Sequence, residues 1–292
     1  MIARDVEYLE PETLEEALRL LSKHKGAARV LVSGGTDLLV PLKKGKVLPR
    51  YVINMQGIPD LNLISYDDSQ GLRIGALATI DAVATSPIIR RNFSLLAQAA
   101  AALGTPQIRN RATIGGNLCN ASPSAEMAPA LLVLETRLKM RGADGERIVP
   151  LEEFFVGPGK TVLKSDEILT EIQVPDLPPQ SAGVYLRQTV RKALDLAIVG
   201  VAVLITLQGD TIQDARIALG AVAPVPMRAR KAEAVLRSKR LNDALLDEAG
   251  LVASGEASPI TDIRSSAEYR RKMIQVLVAR AIKQAVGLIK QN

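Results

Sequence analysis

A chain of 292 residues, 47% of them hydrophobic, can bury more than one core, so two or three compact units are expected, and no apolar run reaches the ~20 residues a membrane helix needs. One cysteine, Cys119, and one histidine, His24, exclude an internal disulfide and any zinc or iron–sulfur site built by this chain alone, and leave little material for nucleophilic triads or histidine acid–base chemistry. The net charge of +6 is dispersed, tryptophan is absent and aromatics are few, so the stacking platforms of a single-strand nucleic-acid binder are missing.

Charged residues close behind Met1 leave no signal-peptide hydrophobic segment, and the expected location is the cytoplasm. Thr13-Leu14-Glu15-Glu16 is a capping-box pattern, and Leu14, Ala17, Leu18 and Leu21 recur at helical spacing, predicting a helix that Gly26 ends. His24, between Ser22-Lys23 and Lys25, reads as a solvated helix end, where a cation suits the dipole. Arg29-Val30-Leu31-Val32 reads as a short buried strand that delivers the chain to Ser33-Gly34-Gly35-Thr36-Asp37-Leu38.

Further strands are predicted over 51–55 and 72–76, then a helix start at Thr79 and a packed helix from Leu95 to Leu103, closed by Gly104 with Pro106 beyond. Arg109-Asn110-Arg111 precedes a second glycine segment, Thr113-Ile114-Gly115-Gly116-Asn117. Asn120 to Ser124 is turn material, and Glu126 to Leu134 reads as a short helix followed by strand. Gly157-Pro158-Gly159-Lys160-Thr161 ends like a Walker A loop, but Phe154 stands where the first glycine is required, so an ordinary turn is expected. Pro175, Pro178 and Pro179 punctuate a linker taken as the main domain boundary. Beyond it, antiparallel strands over 183–187, 197–207 and 214–219 and helices over 229–237, 241–253 and 267–289 predict an α+β tail. The basic clusters 228–231 and 270–272 are expected on solvated faces or at a protein interface.

The two glycine segments lie about eighty residues apart, and neither has the G-x-G-x-x-G spacing of a dinucleotide-binding βαβ unit. A Gly-Gly pair permits positive φ and lets an anion approach successive N–H groups, and Ser33, Thr36, Thr113 and Asn117 add small donors around both pairs. Each segment is therefore read as a turn and a possible anion nest, and the two together suggest one extended diphosphate held from two sides.

This pair resembles the FAD loops of the flavoprotein subunit of molybdenum hydroxylases, the xanthine dehydrogenase and carbon monoxide dehydrogenase family. Ile74-Gly75-Ala76-Leu77-Ala78-Thr79, Asp166-Glu167-Ile168-Leu169 and Arg191-Lys192-Ala193-Leu194-Asp195-Leu196-Ala197 resemble further family signatures, so the likeness spans essentially the whole chain. It implies an α+β fold: a two-subdomain FAD-binding region of the vanillyl-alcohol-oxidase-like (PCMH) type over 1–176, divided near residue 57, then a smaller α+β domain over 177–292. FAD would lie between the subdomains. Leu31, Val32, Ser33, Gly34, Gly35, Thr36, Asp37 and Leu38, with Thr113, Ile114, Gly115, Gly116 and Asn117, would bind the diphosphate and its surroundings. Leu103 would face the flavin, Glu126 would meet ribityl or ribose hydroxyls, and Leu169 and Arg187 would stand at the flavin's edge, where an arginine can stabilise an anionic reduced ring.

Without the resemblance, Glu126 reads as a solvated first-turn charge, Arg187 as a strand-face arginine in water, and Leu103 and Leu169 as core leucines. Relatives commonly have aspartate at the Glu126 position, aromatics at that of Leu103 and lysine at that of Arg187. Cys119 alone cannot supply the extra cluster of the 4-hydroxybenzoyl-coenzyme A reductase flavoprotein. The implied function is an FAD subunit that takes electrons from [2Fe–2S] clusters on a small subunit, with molybdopterin on a large one, in a pair of heterotrimers. No catalytic side chain and no metal are expected here. A free-standing FAD oxidoreductase and a cofactor-free scaffold of the same fold are the alternatives.

Overall fold

The computed structural model describes residues 6–191 and 195–291; Met1 and the Lys192, Ala193 and Leu194 part of the Arg191–Ala197 segment lie outside the described residues. The first unit runs β1 (Glu7–Leu9), α1 (Leu14–Lys23), β2 (Arg29–Val32), α2 (Leu39–Lys43) and β3 (Tyr51–Asn54), with the strands parallel in the order β1-β3-β2. Thr13 caps α1 by accepting the Glu16 amide at 3.1 Å, and the Glu16 carboxylate returns to the Glu12 amide at 2.9 Å, one residue upstream of the usual capping-box partner. His24 is half-buried rather than solvated: its ring stacks on Tyr51 with centroids 3.7 Å apart. As an edge strand, β2 is also only half-buried over 30–32, while the central β3 takes the burial over 51–53.

The second unit comprises β4 (Ile64–Asp67), β5 (Gly71–Gly75), α3 (Ile80–Thr85), α4 (Pro87–Asn92), α5 (Ser94–Ala102), α6 (Pro106–Arg109), α7 (Ile114–Cys119) and α8 (Met127–Val133). It continues through β6 (Arg137–Gly142), β7 (Gly145–Pro150), β8 (Phe155–Gly157), β9 (Lys160–Thr161) and β10 (Ile168–Val174). Its five-stranded sheet is antiparallel, in the order β4-β5-β10-β6-β7. Thr79, Ser86, Thr105 and Thr113 cap α3, α4, α6 and α7, each hydroxyl accepting the amide three residues on. The Walker-like stretch is the turn of the β8–β9 hairpin, with Gly159 at φ +68.

The third unit is an antiparallel meander, β11 (Ser181–Gln188), β12 (Val199–Gln208), β13 (Thr211–Gly220) and β14 (Met227–Arg228), followed by α9 (Arg230–Leu236), α10 (Asp243–Glu256) and α11 (Ala267–Gln291). Nine of the ten β12 residues are buried, because each face of the sheet is covered. Ala202 and Leu204 join Tyr185 in the core that α5 and α8 supply, whereas Val201, Val203 and Ile205 join the core beneath α10 and α11.

Two of the basic residues expected on solvated faces are instead buried. Arg228 pairs through Nε with Glu233, which is itself fully buried and also accepts the Ile217 amide at 2.9 Å. Arg270 donates to the Ile198 and Ala221 carbonyls, each at 2.9 Å, and to Asp262 at 2.8 Å. Buried acceptors left over by strand ends and a buried carboxylate demand a cation, and arginine meets several at once. Arg230, Lys231, Arg271 and Lys272 remain exposed.

Candidate functional site

The glycine segments converge. A Cβ on Gly34 would lie 2.0 Å from the Arg111 carbonyl oxygen and 2.9 Å from Ala112 Cα, so the two backbones touch there. Beside that contact the Thr113 hydroxyl donates to Ser33 Oγ at 3.0 Å, and a Cβ on Gly116 would meet the same two hydroxyls at 2.8 and 2.9 Å. Of the four glycines only Gly35 has positive φ, at +75; the other three are required by close approach. Gly115 packs so tightly on Ala76 that a Cβ would stand 2.5 Å from its carbonyl oxygen, which brings the Ile74–Thr79 segment under the second glycine segment.

The second segment is not a turn. It opens α7, and its amides are used within the protein: Ile114 bonds Ala78 at 3.0 Å, Gly115 bonds Ala76 at 2.9 Å, and Gly116 and Asn117 bond the Thr113 hydroxyl and carbonyl, each at 3.0 Å. Glycine here admits neighbouring backbone, and no anion nest results. The first segment differs, since among the described residues the amides of Gly34, Gly35, Thr36, Asp37 and Leu38 have no protein acceptor. Five consecutive free donors around a positive-φ glycine are the kind of backbone that can receive an oxyanion. The second segment reaches it through the Thr113 hydroxyl, and Asn117 of the same segment has a buried Oδ1 that lacks a protein partner.

A second polar group lies where the second and third units meet. Glu126, immediately before α8, is buried and pairs with Arg187 Nη1 of β11 at 2.8 Å, and Arg187 also reaches the Asp195 carbonyl at 3.4 Å. Neither is a solvent-facing charge, which corrects both bland readings. Burial raises the Glu126 carboxyl from 4.5 to about 7, Arg187 opposes the rise, and Asp37 adds to it, so the first glycine segment and Glu126 share one electrostatic environment. Asp37 itself is exposed, yet crowding by surrounding protein raises its carboxyl as well. Tyr185, two residues before Arg187, has a buried hydroxyl with no protein partner, and its pKa is raised by burial and by Glu126.

Leu103 and Leu169 are both buried in the apolar cluster that contains Ile114, Leu118 and Tyr185. Leu103 ends α5 ahead of Gly104 (φ +51), and its carbonyl accepts Arg109 Nη1 at 3.1 Å. Leu169 stands at an irregularity in the β10–β6 register, on the strand that α7 packs against. Leu31, Val32 and Leu38 are half-buried on either side of the first glycine bend.

Two comparisons settle the family. The family described as FAD binding domain in molybdopterin dehydrogenase matches residues 4–177, and the CO dehydrogenase flavoprotein C-terminal domain matches residues 184–285. The chain belongs to the FAD-binding subunits of the molybdopterin dehydrogenases. It is 32% identical to the xanthine dehydrogenase FAD-binding subunit of Escherichia coli O157:H7, over 96% of each chain. It is 33% identical to the carbon monoxide dehydrogenase medium chain of Hydrogenophaga pseudoflava, over 98% of each. A solved carbon monoxide dehydrogenase from that organism, lacking the Mo-pyranopterin moiety of its cofactor, superposes with a TM-score of 0.93 over 98% of each chain at 33% identity. This family member is thus an oxidoreductase flavoprotein subunit with an FAD-binding region followed by a C-terminal domain.

Three residues at the site were not among the sequence candidates. Tyr185 shares a strand face with Arg187 by period-two alternation, a signal that was available. Gln56 and Arg111 were not legible: Gln56 bridges the first segment to the second through Ser33 and Arg111, a contact no local pattern announces. Among the described residues, no group of three or more His, Cys, Asp or Glu is placed to hold a metal, and no helix is long and apolar enough to cross a membrane. Burial pushes the Cys119 thiol up to about 12, which removes it from thiolate chemistry near neutrality.

Proposed function

We propose that this chain is the electron-relay subunit of a cytoplasmic multi-subunit molybdenum hydroxylase, taking electrons from [2Fe–2S] clusters on a small subunit through FAD to a terminal acceptor, with molybdopterin on a large subunit. A dimer of such heterotrimers is part of the proposal. The observation that carries it is the run of five unpartnered amides at Gly34 to Leu38, tied to the second segment by the Thr113–Ser33 bond, with the buried Glu126–Arg187 pair within electrostatic reach of Asp37. These residues fit the cofactor: free amides suit a diphosphate, and the orphaned Asn117 Oδ1 and Tyr185 hydroxyl need partners.

In this reading Ser33 to Leu38 hold the diphosphate through backbone donors, and Leu31, Val32 and the 113–117 segment shape the wall around it. Glu126 accepts hydrogen bonds from sugar hydroxyls, Leu103 and Leu169 give the ring an apolar, water-excluding bed, and Arg187 sets the local charge. The flavin supplies the chemistry, accepting electrons singly and delivering them in pairs. The assigned division falls at 176/177, with a further one near residue 57. Purification of the tagged chain from its native host, with a visible spectrum and mass spectrometry of released cofactors and copurifying subunits, tests the proposal. FAD with an iron–sulfur subunit and a molybdopterin subunit is the expected result; colourless protein without partners would overturn it.

A further inference from the structure

We infer that Arg111, tethered by Gln56, is a further cofactor-binding residue, whose guanidinium faces the diphosphate of a flavin dinucleotide held on the first glycine segment. The inference rests on the FAD reading above and assigns a residue that the reading leaves out. Its basis is a three-part linkage. Gln56 lies two residues past the end of β3 and is fixed there by its own amide, which donates to Asn54 Oδ1 at 3.1 Å. The Gln56 side-chain amide then donates to the Ser33 carbonyl and accepts Arg111 Nη2 at 3.1 Å. Arg111 also touches Gly34 through its carbonyl oxygen, so backbone and side chain together follow the contour of the first segment.

Charge makes the case sharper. Within 33–38 and 113–117 the only charged side chain is Asp37, an acid, which repels a diphosphate. Backbone amides can receive the anion's lone pairs, but a cation is needed to offset both the anion and the aspartate. Arg111 is exposed, and one hydrogen bond to Gln56 leaves four of its five donors without a protein partner among the described residues. A guanidinium presents those donors as a planar fork suited to phosphate oxygens, and Gln56 restricts its rotation beforehand, which lowers the entropy cost of binding. Proximity to the Tyr8 phenol, on which Arg111 acts electrostatically, places the group at the rim of the first sheet.

The test uses the full chain, freed of flavin, titrated with FAD and separately with riboflavin, which has no phosphate. Flavin fluorescence and the salt dependence of Kd are read for the wild type, Arg111→Ala, Arg111→Lys and Gln56→Ala, with circular dichroism to verify folding. Arg111→Ala is expected to weaken FAD tenfold or more and to flatten the salt dependence, while riboflavin binding stays within twofold. Arg111→Lys should recover part of the loss, and Gln56→Ala should weaken FAD with the salt dependence intact. FAD binding within twofold of wild type in Arg111→Ala, or an equal loss of FAD and riboflavin, would overturn the inference while leaving the FAD reading in place. A wild-type chain that binds no FAD would remove both.

Discussion

Gly34→Ala is the most direct probe of the convergence of the two glycine segments. The added Cβ would stand 2.0 Å from the Arg111 carbonyl oxygen and 2.8 Å from its carbon, both backbone atoms that no rotamer change can move. Carbon contacts need roughly 3.5 Å, so the segments must part by about 1.5 Å at this point. That displacement takes the Thr113–Ser33 bond, now 3.0 Å, well beyond hydrogen-bonding range and breaks the Gln56 bridge to Arg111. Two exposed or half-buried hydrogen bonds at ~1 kcal/mol each, plus the strain that the movement leaves unrelieved, give a local cost of about 2–3 kcal/mol. Because the parted surfaces are the proposed diphosphate cradle, most of it should appear in binding, as a loss of FAD affinity of about thirty- to hundredfold. Flavin fluorescence titration of the full chain reads the affinity, and a thermal melt of the flavin-free chain reads the fold. Gly157→Ala is the control, since Gly157 lacks positive φ and has no atom within 4 Å of an added Cβ. If Gly34→Ala kept its FAD Kd within threefold, the cradle would not be where the segments meet.

Glu126 makes stability pH-dependent: the folded carboxyl titrates at about 7 against 4.5 for the ordinary group, so between those values the folded state binds the extra proton. Stability therefore falls as pH rises through that window, by at most about 3 kcal/mol at ~1.4 kcal/mol per pH unit, and Glu126→Gln should flatten the melting temperature of the flavin-free chain between pH 5 and 8. Tyr185→Phe removes a buried hydroxyl with no protein partner, so the flavin-free chain should melt no lower than wild type while FAD binding weakens; a drop in melting temperature without any effect on FAD would place the hydroxyl's role in the fold. Glu233→Ala strands Arg228 in the core and should cost about 3–5 kcal/mol, seen as a large fall in melting temperature, whereas a loss below about 1 kcal/mol would mean that water reaches the pair.

How far the sequence disclosed this arrangement depended on whether each signal was local. Helix starts were legible because a cap is a contact over three residues, and Thr13 and Thr79 both accept the expected amides. The β12 run was legible because a strand covered on both faces has no polar alternation to interrupt it. Arg228 and Arg270 were misread because composition records their charge but not the buried Glu233, Asp262 and loose carbonyls that claim it. The second glycine segment was misread for a related reason. Its glycines make room for Ala76 and Ser33, which are distant in sequence, and the requirement looks the same along the chain as a need for positive φ.

The position of α8 explains why the third unit belongs to the site. Every residue of this helix is buried, so it has no solvated face to orient it and depends on what grips its ends. At its start Arg187 of β11 holds Glu126. At its other end Arg228 and Arg216 reach the Leu132 and Val133 carbonyls, each at 3.4 Å, and Arg216 also pairs with Glu135 at 3.3 Å. Those carbonyls lie in the last turn, where Leu132 also takes the Glu135 amide at 3.1 Å, and cations there complement the helix dipole. All three arginines belong to the third sheet, whose inner face carries Tyr185, Ala202, Leu204 and Ala218 into the core around α8. The acidic group at the start of the helix is therefore positioned by the third unit as much as by the second. A shift of that sheet against α5 and α8 would carry Arg187 and Tyr185 away from Glu126 and break the 2.8 Å pair, giving the C-terminal unit a direct lever on the electrostatics of the proposed FAD site.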